Sequence, residues 1–238
     1  MIHIAETLAT GSIEGFLTPA ETASLTQTMD AVLAATGPQP HDTGRTRTLH
    51  SIPGQTSRQA MHVYEPAGRL EIHDLPEPAT HVLAAATARA MPALQRAMPS
   101  VTACRDWIYV EYGPGQHITP HLDGIAPDPE TWPRQIAGIS IVLQHADDGG
   151  AFFIETTAAT TLWSHQRPET GYHQPMSVAH DGADNSATWF QSMPRTRWHV
   201  TAPPGTALLY GSQLTHGTEP VHTGRERKFI SWLIAETP

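Results

Sequence analysis

Three residues in this chain have the types and spacing of a metal site. His121 and Asp123 lie two positions apart in the segment EYGPGQHITPHLDG, and His216 lies far downstream in PPGTALLYGSQLTHGTEP. Two imidazoles and one carboxylate are the ligands of non-haem Fe(II) sites that keep open coordination positions. No cysteine belongs to the set, which argues against a structural zinc site. The pattern predicts an iron centre in which His121, Asp123 and His216 are both the metal ligands and the catalytic residues.

The predicted ligands need rigid elements to hold them together. Residues i and i+2 of a strand face the same side, so a short strand over residues 117–123 would present His121 and Asp123 together. His216 follows a predicted strand at residues 206–210 and would reach the metal from across a barrel. Three positions of an octahedral iron would remain for a bidentate cosubstrate and O2.

The predicted elements divide the chain into an N-terminal mixed half and a β-rich half. Short strands with turns are predicted at 106–112, 136–144, 151–155, 206–210 and 228–235, a pattern typical of a barrel or sandwich. In the first half we expect a strand at residues 2–8, loops with short strands at 37–60, and two helices. One helix begins with the capping box at Thr18–Glu21 and ends near residue 35, and the other covers 77–98, bent near Pro92. The predicted fold class is mostly β with flanking helices.

We expect one domain over residues 1–238. Residues 1–104 would form a helical or mixed N-terminal support, and residues 105–238 the β core. Residues 156–200 fit no clean pattern, and an insert of this length between core strands is usually a lid or a binding loop.

Composition limits the function classes. The chain has 238 residues, 39% hydrophobic and 16% charged, so a globular fold is expected. A formal net charge of -9 argues against nucleic acid as a partner. The single cysteine allows no internal disulfide. No signal peptide and no run of apolar residues long enough for a membrane span are visible, so we expect a cytoplasmic protein without a membrane partner.

Motifs in the second half carry a family resemblance. The segments YGPGQ at 112–116, PHLD at 120–123, DDGGAFF at 147–153, PGTALLY at 204–210 and GRER at 224–227 occur in this order. Together, over roughly residues 105–236, they resemble the Fe(II)/2-oxoglutarate-dependent oxygenases, especially the prolyl-4-hydroxylase-like branch. The resemblance implies a double-stranded β-helix, or jelly-roll, with iron in its mouth. It also implies Fe(II), 2-oxoglutarate and O2 as cofactors, with ascorbate as a candidate reductant.

The resemblance also implies where 2-oxoglutarate binds. In the family, a basic residue on the strand after the distal histidine holds the far carboxylate, and the candidates here are Arg225, Arg227 and Lys228. We favour Arg227, which opens the apolar strand, over Arg225. A family tyrosine that contacts the cosubstrate matches Tyr112. Further residues expected to line the cosubstrate site are Gln144 and Ser140.

The expected reaction is hydroxylation of a C–H bond in a small molecule, such as an amino acid or a natural-product intermediate. Asp123 favours hydroxylation over halogenation, because related halogenases have a small residue there. Desaturation or cyclisation of a small molecule, and prolyl-type hydroxylation of a protein, stay open. A non-enzymatic jelly-roll binding module and a cupin-like metalloenzyme are further alternatives.

The expected assembly is a monomer or a homodimer. Candidate substrate-contacting residues are His117, Trp163, Arg195, Arg197 and Trp198.

Overall fold

The structure, a computed structural model, describes residues 4–36, 48, 52–123, 132–158 and 184–237. A 3-10 helix at Ile4–Leu8 precedes the helices α1 (Pro19–Thr36), α2 (Ser57–Tyr64), α3 (Glu77–Ala97) and α4 (Thr188–Ser192). The strands are β1 (Thr10–Ile13), β2 (Leu70–Ile72), β3 (Ala103–Cys104), β4 (Ile108–Tyr112), β5 (Ile118–His121), β6 (Arg134–Gln144), β7 (Asp148–Gly149), β8 (Phe152–Thr157), β9 (Arg195–Val200), β10 (Ala207–Gly211), β11 (His216–Thr218), β12 (Val221–Thr223) and β13 (Glu226–Ala235).

Two antiparallel sheets form the body of the described fold. The larger sheet has the order β1-β10-β6-β13-β4-β2, with β3 also paired to β13. The smaller sheet has the order β5-β11-β8-β9, and β12 and β7 form a two-stranded ribbon. The long strands β6 and β13 are central to the larger sheet, and both are rich in the β-branched and aromatic residues that favour strands. The predicted fold class, a mostly β jelly-roll buttressed by helices, is confirmed.

Strand alternation gives the larger sheet two different faces. On β13, Phe229 and Leu233 pack into the main hydrophobic core, together with Met29 of α1 and Leu83 of α3. Lys228, Ile230 and Trp232 point to the other face of β13 and line a pocket between the two sheets. The helices therefore cover one face of the larger sheet, and the other face is left for a binding site.

The predicted N-terminal elements are partly confirmed. α1 begins at the expected capping box, in which the Glu21 amide donates to Thr18 Oγ1 and the Thr18 amide donates to the Glu21 carboxylate. α3 has the expected bounds and contains Pro92. Two expectations were wrong. The predicted strand at 2–8 is a 3-10 helix followed by β1, and the predicted loop at 37–60 contains the start of α2, which has its own capping box at Thr56.

The region predicted as an insert also needs correction. Its last part is β9, which pairs with β8 from Phe152↔Val200 to Thr157↔Arg195 and forms the edge of the smaller sheet. Alternating polar residues on β9 hid this strand from the sequence analysis. Residues 159–183 lie outside the described residues, and so does Trp163. Within the described part of the chain, no helix is long and apolar enough to cross a membrane.

Candidate metal centre and cosubstrate pocket

The three predicted ligands lie together at the end of two paired strands. His121 is the last residue of β5, and His216, the first residue of β11, is its register partner. Asp123 follows two residues after His121, just beyond the strand rather than inside it as predicted. One ligand atom from each side chain lies within 4.8 Å of the others, and His216 Nε2 is 3.7 Å from Asp123 Oδ1.

Backbone carbonyls orient both imidazoles. His121 Nδ1 donates to the carbonyl of Thr119 at 2.8 Å, and His216 Nδ1 donates to the carbonyl of Leu214 at 2.9 Å. A carbonyl oxygen can only accept, so Nδ1 carries the proton on each ring. The lone pair of each Nε2 is then available to a metal, as in the usual arrangement of metal-bound histidines.

Asp123 contributes a carboxylate oxygen that the protein itself does not satisfy. Its Oδ2 is buried and has no hydrogen-bond partner among the described residues. Gly138 on β6 makes room for this carboxylate, since a Cβ atom there would lie 2.8 Å from Asp123 Oδ2 and closer still to the ring of Tyr210. An unpaired carboxylate oxygen beside the Nε2 atoms of two imidazoles fits a divalent metal, because a buried charge without a partner is otherwise costly. This donor set suits Fe(II).

The triad opens into a pocket between the two sheets. Residues from both sheets and from the N-terminal half line it: Thr48, Arg69, Arg105, Tyr112, Ile118, Gln135, Ser140, Phe152, Tyr210, Gly217, Thr218, Lys228, Ile230 and Trp232, besides the three ligands. Gly138, which lies beside the Asp123 carboxylate, pairs with Trp232 of β13. Lys228 lies four residues before Trp232 on the same strand. The pocket therefore extends from the metal ligands to a buried lysine.

Lys228 is a buried cation without a counter-ion. Its side chain donates to Thr218 Oγ1 at 3.1 Å, and its Nζ lies 5.0 Å from the centre of the Tyr112 ring. No carboxylate of the described residues lies within ion-pair distance of this amine. Burial lowers the pKa of Lys228 to about 8; the charge of Glu226 opposes the shift and that of Arg69 adds to it. A buried ammonium with a lowered pKa is ready to accept an anionic ligand.

The two arginines favoured from the sequence do not line this pocket. Arg227 points to the helix-covered face, where it donates to Tyr109 and Gln144 and forms an ion pair with Asp30 of α1. Arg225 is 64% exposed and pairs with Glu111. Gln144 is the exposed last residue of β6 and does not line the pocket either.

Tyr112 and Ser140 do line the pocket, as expected. Tyr112 accepts a hydrogen bond from Arg69, a buried arginine that also pairs with Glu65 and Glu71. Burial is the main reason that the pKa of Tyr112 is raised, so the phenol stays neutral and can donate a hydrogen bond to a ligand.

The candidate substrate residues lie elsewhere. His117 is half-buried at the start of β5, bonds the carbonyl of Gly115, and is not part of the pocket. Arg195 and Arg197 on β9 both bind Glu155, and Arg197 also binds Glu219, so both guanidinium groups already have carboxylate partners. Trp198 is 60% exposed on the same edge strand. The structure does not bring these four residues to the metal ligands.

Sequence reasoning missed several residues that the fold brings to the site. Tyr210 lies 4.4 Å from His216 between ring centres, and burial raises its pKa well above the usual value. Thr218 follows His216 by two positions on β11 and faces the same pocket. This i, i+2 spacing could have indicated Thr218 as a pocket residue from the sequence. Arg69 has no local signal, because it reaches the pocket only through the pairing of β2 with β4.

A protein-family model matches residues 12–229, almost the whole chain, and describes phytanoyl-CoA dioxygenase (PhyH). The chain belongs to the PhyH family. This match, the jelly-roll fold and the histidine–aspartate–histidine site confirm the predicted class: the protein is an Fe(II)- and 2-oxoglutarate-dependent dioxygenase. No curated protein sequence matches the chain significantly.

Solved structures share the fold of this PhyH-family chain at low identity. A prolyl-4-hydroxylase from Pseudomonas putida is 13% identical with a TM-score of 0.53, over 98% of this chain and 97% of that chain. The non-haem α-ketoglutarate-dependent carbocyclase SnoK from nogalamycin biosynthesis is 12% identical with a TM-score of 0.55, over 97% and 81%. A prolyl hydroxylase from Trichoplax adhaerens, bound to a peptide fragment of hypoxia inducible factor, is 10% identical with a TM-score of 0.56, over 95% and 83%.

Proposed function

We propose that this protein hydroxylates a C–H bond of a small molecule, with iron held by His121, Asp123 and His216 and with the far carboxylate of 2-oxoglutarate held by Lys228. One observation carries the proposal. A single pocket contains, at one position, three converging metal-ligand atoms with an unsatisfied carboxylate oxygen and, further along β13, a buried ammonium with no ion-pair partner among the described residues. A dicarboxylate that chelates a metal through one end needs both features.

The residues around Lys228 suit a carboxylate. Thr218 and Tyr112 are hydroxyl groups next to the ammonium, and each can donate to a carboxylate oxygen. Arg69 donates a hydrogen bond to Tyr112 at the same end, and its carboxylate partners Glu65 and Glu71 hold it in place. Ser140 of β6 lies beside its register partner Ile230 of β13, on the same wall of the pocket. A charge-assisted bond to a desolvated ammonium would be stronger than one between neutral groups.

The other walls would orient the substrate and exclude water. When bound, iron and 2-oxoglutarate supply the oxidising chemistry that activates O2 and converts the cosubstrate to succinate and CO2. Phe152, Tyr210 and Trp232 form apolar surface around the ligands, so a bound substrate would lie against a surface that holds little water. The neutral phenol of Tyr210, buried against His216, adds no charge to the site.

The names of the similar structures imply both small-molecule and peptide substrates. We favour a small molecule because the described pocket is bounded by side chains from both sheets and by Arg69 and Thr48 of the N-terminal half. A prolyl-type peptide substrate is the alternative, as are cyclisation and desaturation. One domain over residues 1–238, a cytoplasmic location and a monomer or homodimer stay predictions.

The test is cosubstrate turnover by the purified chain. Loaded with Fe(II) and supplied with 2-oxoglutarate and O2, it should release succinate, faster with a small-molecule substrate than with proline-containing peptides. His216→Ala should lose both bound iron and succinate release. His222→Ala removes an exposed histidine of β12 and should keep both. Normal 2-oxoglutarate turnover by His216→Ala would contradict the proposed iron ligands.

A further inference from the structure

The pocket contains two polar groups that neither iron nor 2-oxoglutarate uses in the proposed function. Arg105 and Gln135 both line it, together with the three metal ligands. Arg105 is exposed, and no ion pair joins it to a carboxylate of the described residues. Nε2 of the Gln135 amide is buried and has no hydrogen-bond partner among the residues that the structure describes. Both groups are therefore donors for which the described residues provide no partner.

The strand register separates these donors from the lysine end of the pocket. The amide of Arg105 donates to the carbonyl of Trp232, which lies opposite Gly138 at the position of the triad. Lys228 is four residues away on β13, which corresponds to roughly 13 Å along a strand. Gln135 pairs with Ile234, on the side of the triad away from Lys228. The pocket thus has a second polar end, beyond the metal ligands.

A β-bulge directs Gln135 into the pocket. Ile139 and Ile141 of β6 face the helix-covered core, and regular alternation would send Gln135 to the same face. The register instead shifts between Leu233 and Ile234 of β13, so that β6 holds one extra residue, Ile136. A bulge reverses the direction of the side chains beyond it, and bulges are frequent beside active sites. The fold therefore places an unpaired amide in the pocket where a regular strand would place it in the core.

The backbone of Arg105 is held firmly, although its side chain is exposed. Besides the bond to Trp232, its carbonyl accepts from Ser231 Oγ at 2.7 Å. A guanidinium on a fixed backbone at a pocket wall suits recognition of a planar carboxylate, which it can bind through two parallel hydrogen bonds.

We infer that the primary substrate carries a carboxylate that is bound by Arg105 and by the side-chain amide of Gln135, on the side of the iron opposite Lys228. This inference rests on the proposed function and narrows its substrate class to small carboxylic acids. The two anionic ligands are kept apart because each has its own cation, Lys228 for the cosubstrate and Arg105 for the substrate. Trp232 and Phe152 provide apolar surface for the rest of the substrate.

The test uses two carboxylates, hexanoate and phenylacetate, with their neutral amides as matched probes. The protein is loaded with Mn(II) in place of iron and saturated with 2-oxoglutarate, so that Lys228 is occupied. Proximity to the site is measured as the Mn(II)-dependent relaxation of the probe protons by NMR, titrated to saturation. Each carboxylate should bind about tenfold or more tightly than its amide, since bonds to a charged group are the stronger ones.

Variants assign the effect to the two residues. Arg105→Met should weaken carboxylate binding about tenfold or more and leave the binding of the amides unchanged. Gln135→Leu should weaken it several-fold and leave the melting temperature unchanged, because Nε2 of this amide bonds no other described residue. Arg96→Met, an exposed arginine in the last turn of α3, is the matched control and should bind like the wild type.

Three results would overturn the inference. They are equal binding of acids and amides, carboxylate binding that survives Arg105→Met, and carboxylates that do not approach the metal at all. Binding of 2-oxoglutarate to the same Mn(II)-loaded protein, measured by calorimetry, separates the two proposals. If 2-oxoglutarate binds and the probes behave in one of these ways, the substrate inference alone fails; if 2-oxoglutarate does not bind, the proposed function fails.

Discussion

Replacement of Lys228 by methionine should change stability and cosubstrate affinity in opposite directions. The side chain is 4% exposed, and its ammonium has one neutral hydroxyl partner, Thr218, and no carboxylate partner in the described part of the chain. Burial lowers its pKa from the usual 10.5 to about 8. Without a bound anion, the folded protein therefore holds a charge in an unfavourable place, which methionine would remove while keeping most of the apolar stem.

The size of both effects follows from the structure. The pKa of Lys228 falls from 10.5 to about 8, and at about 1.36 kcal/mol per pKa unit this corresponds to about 3 kcal/mol. Lys228→Met should therefore raise the free energy of unfolding at pH 7 by about this amount. The folded pKa is below the unfolded one, so this cost is fully present below pH 8 and disappears as the pH rises toward 10.5. Loss of one partner of a buried charge pair costs about 2–5 kcal/mol, so 2-oxoglutarate should bind at least about 30-fold more weakly.

Two measurements check this prediction. Urea unfolding at pH 7 and pH 9.5 should show a more stable variant, with a smaller difference at the higher pH. Calorimetry with Mn(II)-loaded protein should show weaker binding of 2-oxoglutarate to Lys228→Met, intermediate binding to Lys228→Arg, and unchanged binding to Arg225→Met, which removes an exposed cation. Wild-type affinity in Lys228→Met would refute the assignment of the cosubstrate carboxylate to this residue.

Three further predictions concern neighbouring residues. Arg227→Met should lower the free energy of unfolding by about 1–3 kcal/mol, because it removes buried charge-assisted bonds, and should leave the KM for 2-oxoglutarate unchanged; a large rise in KM would restore the sequence-based choice. Gly138→Ala should weaken iron binding measured by equilibrium dialysis, since the new Cβ would displace Asp123, whereas Gly11→Ala, whose Cβ would meet no atom closer than 3.7 Å, should bind iron normally. The KM for 2-oxoglutarate should rise as the pH passes above about 8, because the free amine of Lys228 loses its proton there, and a flat profile in steady-state kinetics would contradict this.

The metal ligands could be predicted because their signal is local. His121 and Asp123 are two residues apart, and His216 follows a strongly β-forming segment, so their types and spacing alone indicate the site. The strand bounds of the core were also predictable within a few residues, because β6 and β13 are long and rich in strand-forming residues. The end of β5 was missed, with Asp123 just beyond it, and β9 was missed altogether.

The structure places Lys228 on the pocket wall, and Arg227 on the opposite face, for a reason that the sequence does not show. Neighbouring residues of a strand face opposite sides, so an error of one position reverses the assignment. The register between β13 and β6 shifts between Arg227 and Lys228, and this shift depends on the partner strand. The bulge that directs Gln135 into the pocket is of the same kind. Register irregularities are properties of strand pairs, and a single sequence does not contain them.

Residues from the first half of the chain were unpredictable as site residues because only long-range pairing brings them there. Arg69 precedes β2, which lies beside β4 and so places this arginine against Tyr112. The same holds for β9, whose alternating arginines are paired with Glu155 of β8 and therefore stabilise the edge of the smaller sheet. From the sequence, unpaired and paired arginines look alike.

The most direct test of the account is to locate the metal. Crystals of the protein grown without oxygen in the presence of Fe(II) and 2-oxoglutarate should show one anomalous peak at the iron absorption edge for each chain. This iron should be bonded to Nε2 of His121, Nε2 of His216 and the carboxylate of Asp123, with the far carboxylate of 2-oxoglutarate at Lys228. An iron atom bound elsewhere, or a triad whose side chains do not contact it, would contradict the assignment of His121, Asp123 and His216 as iron ligands.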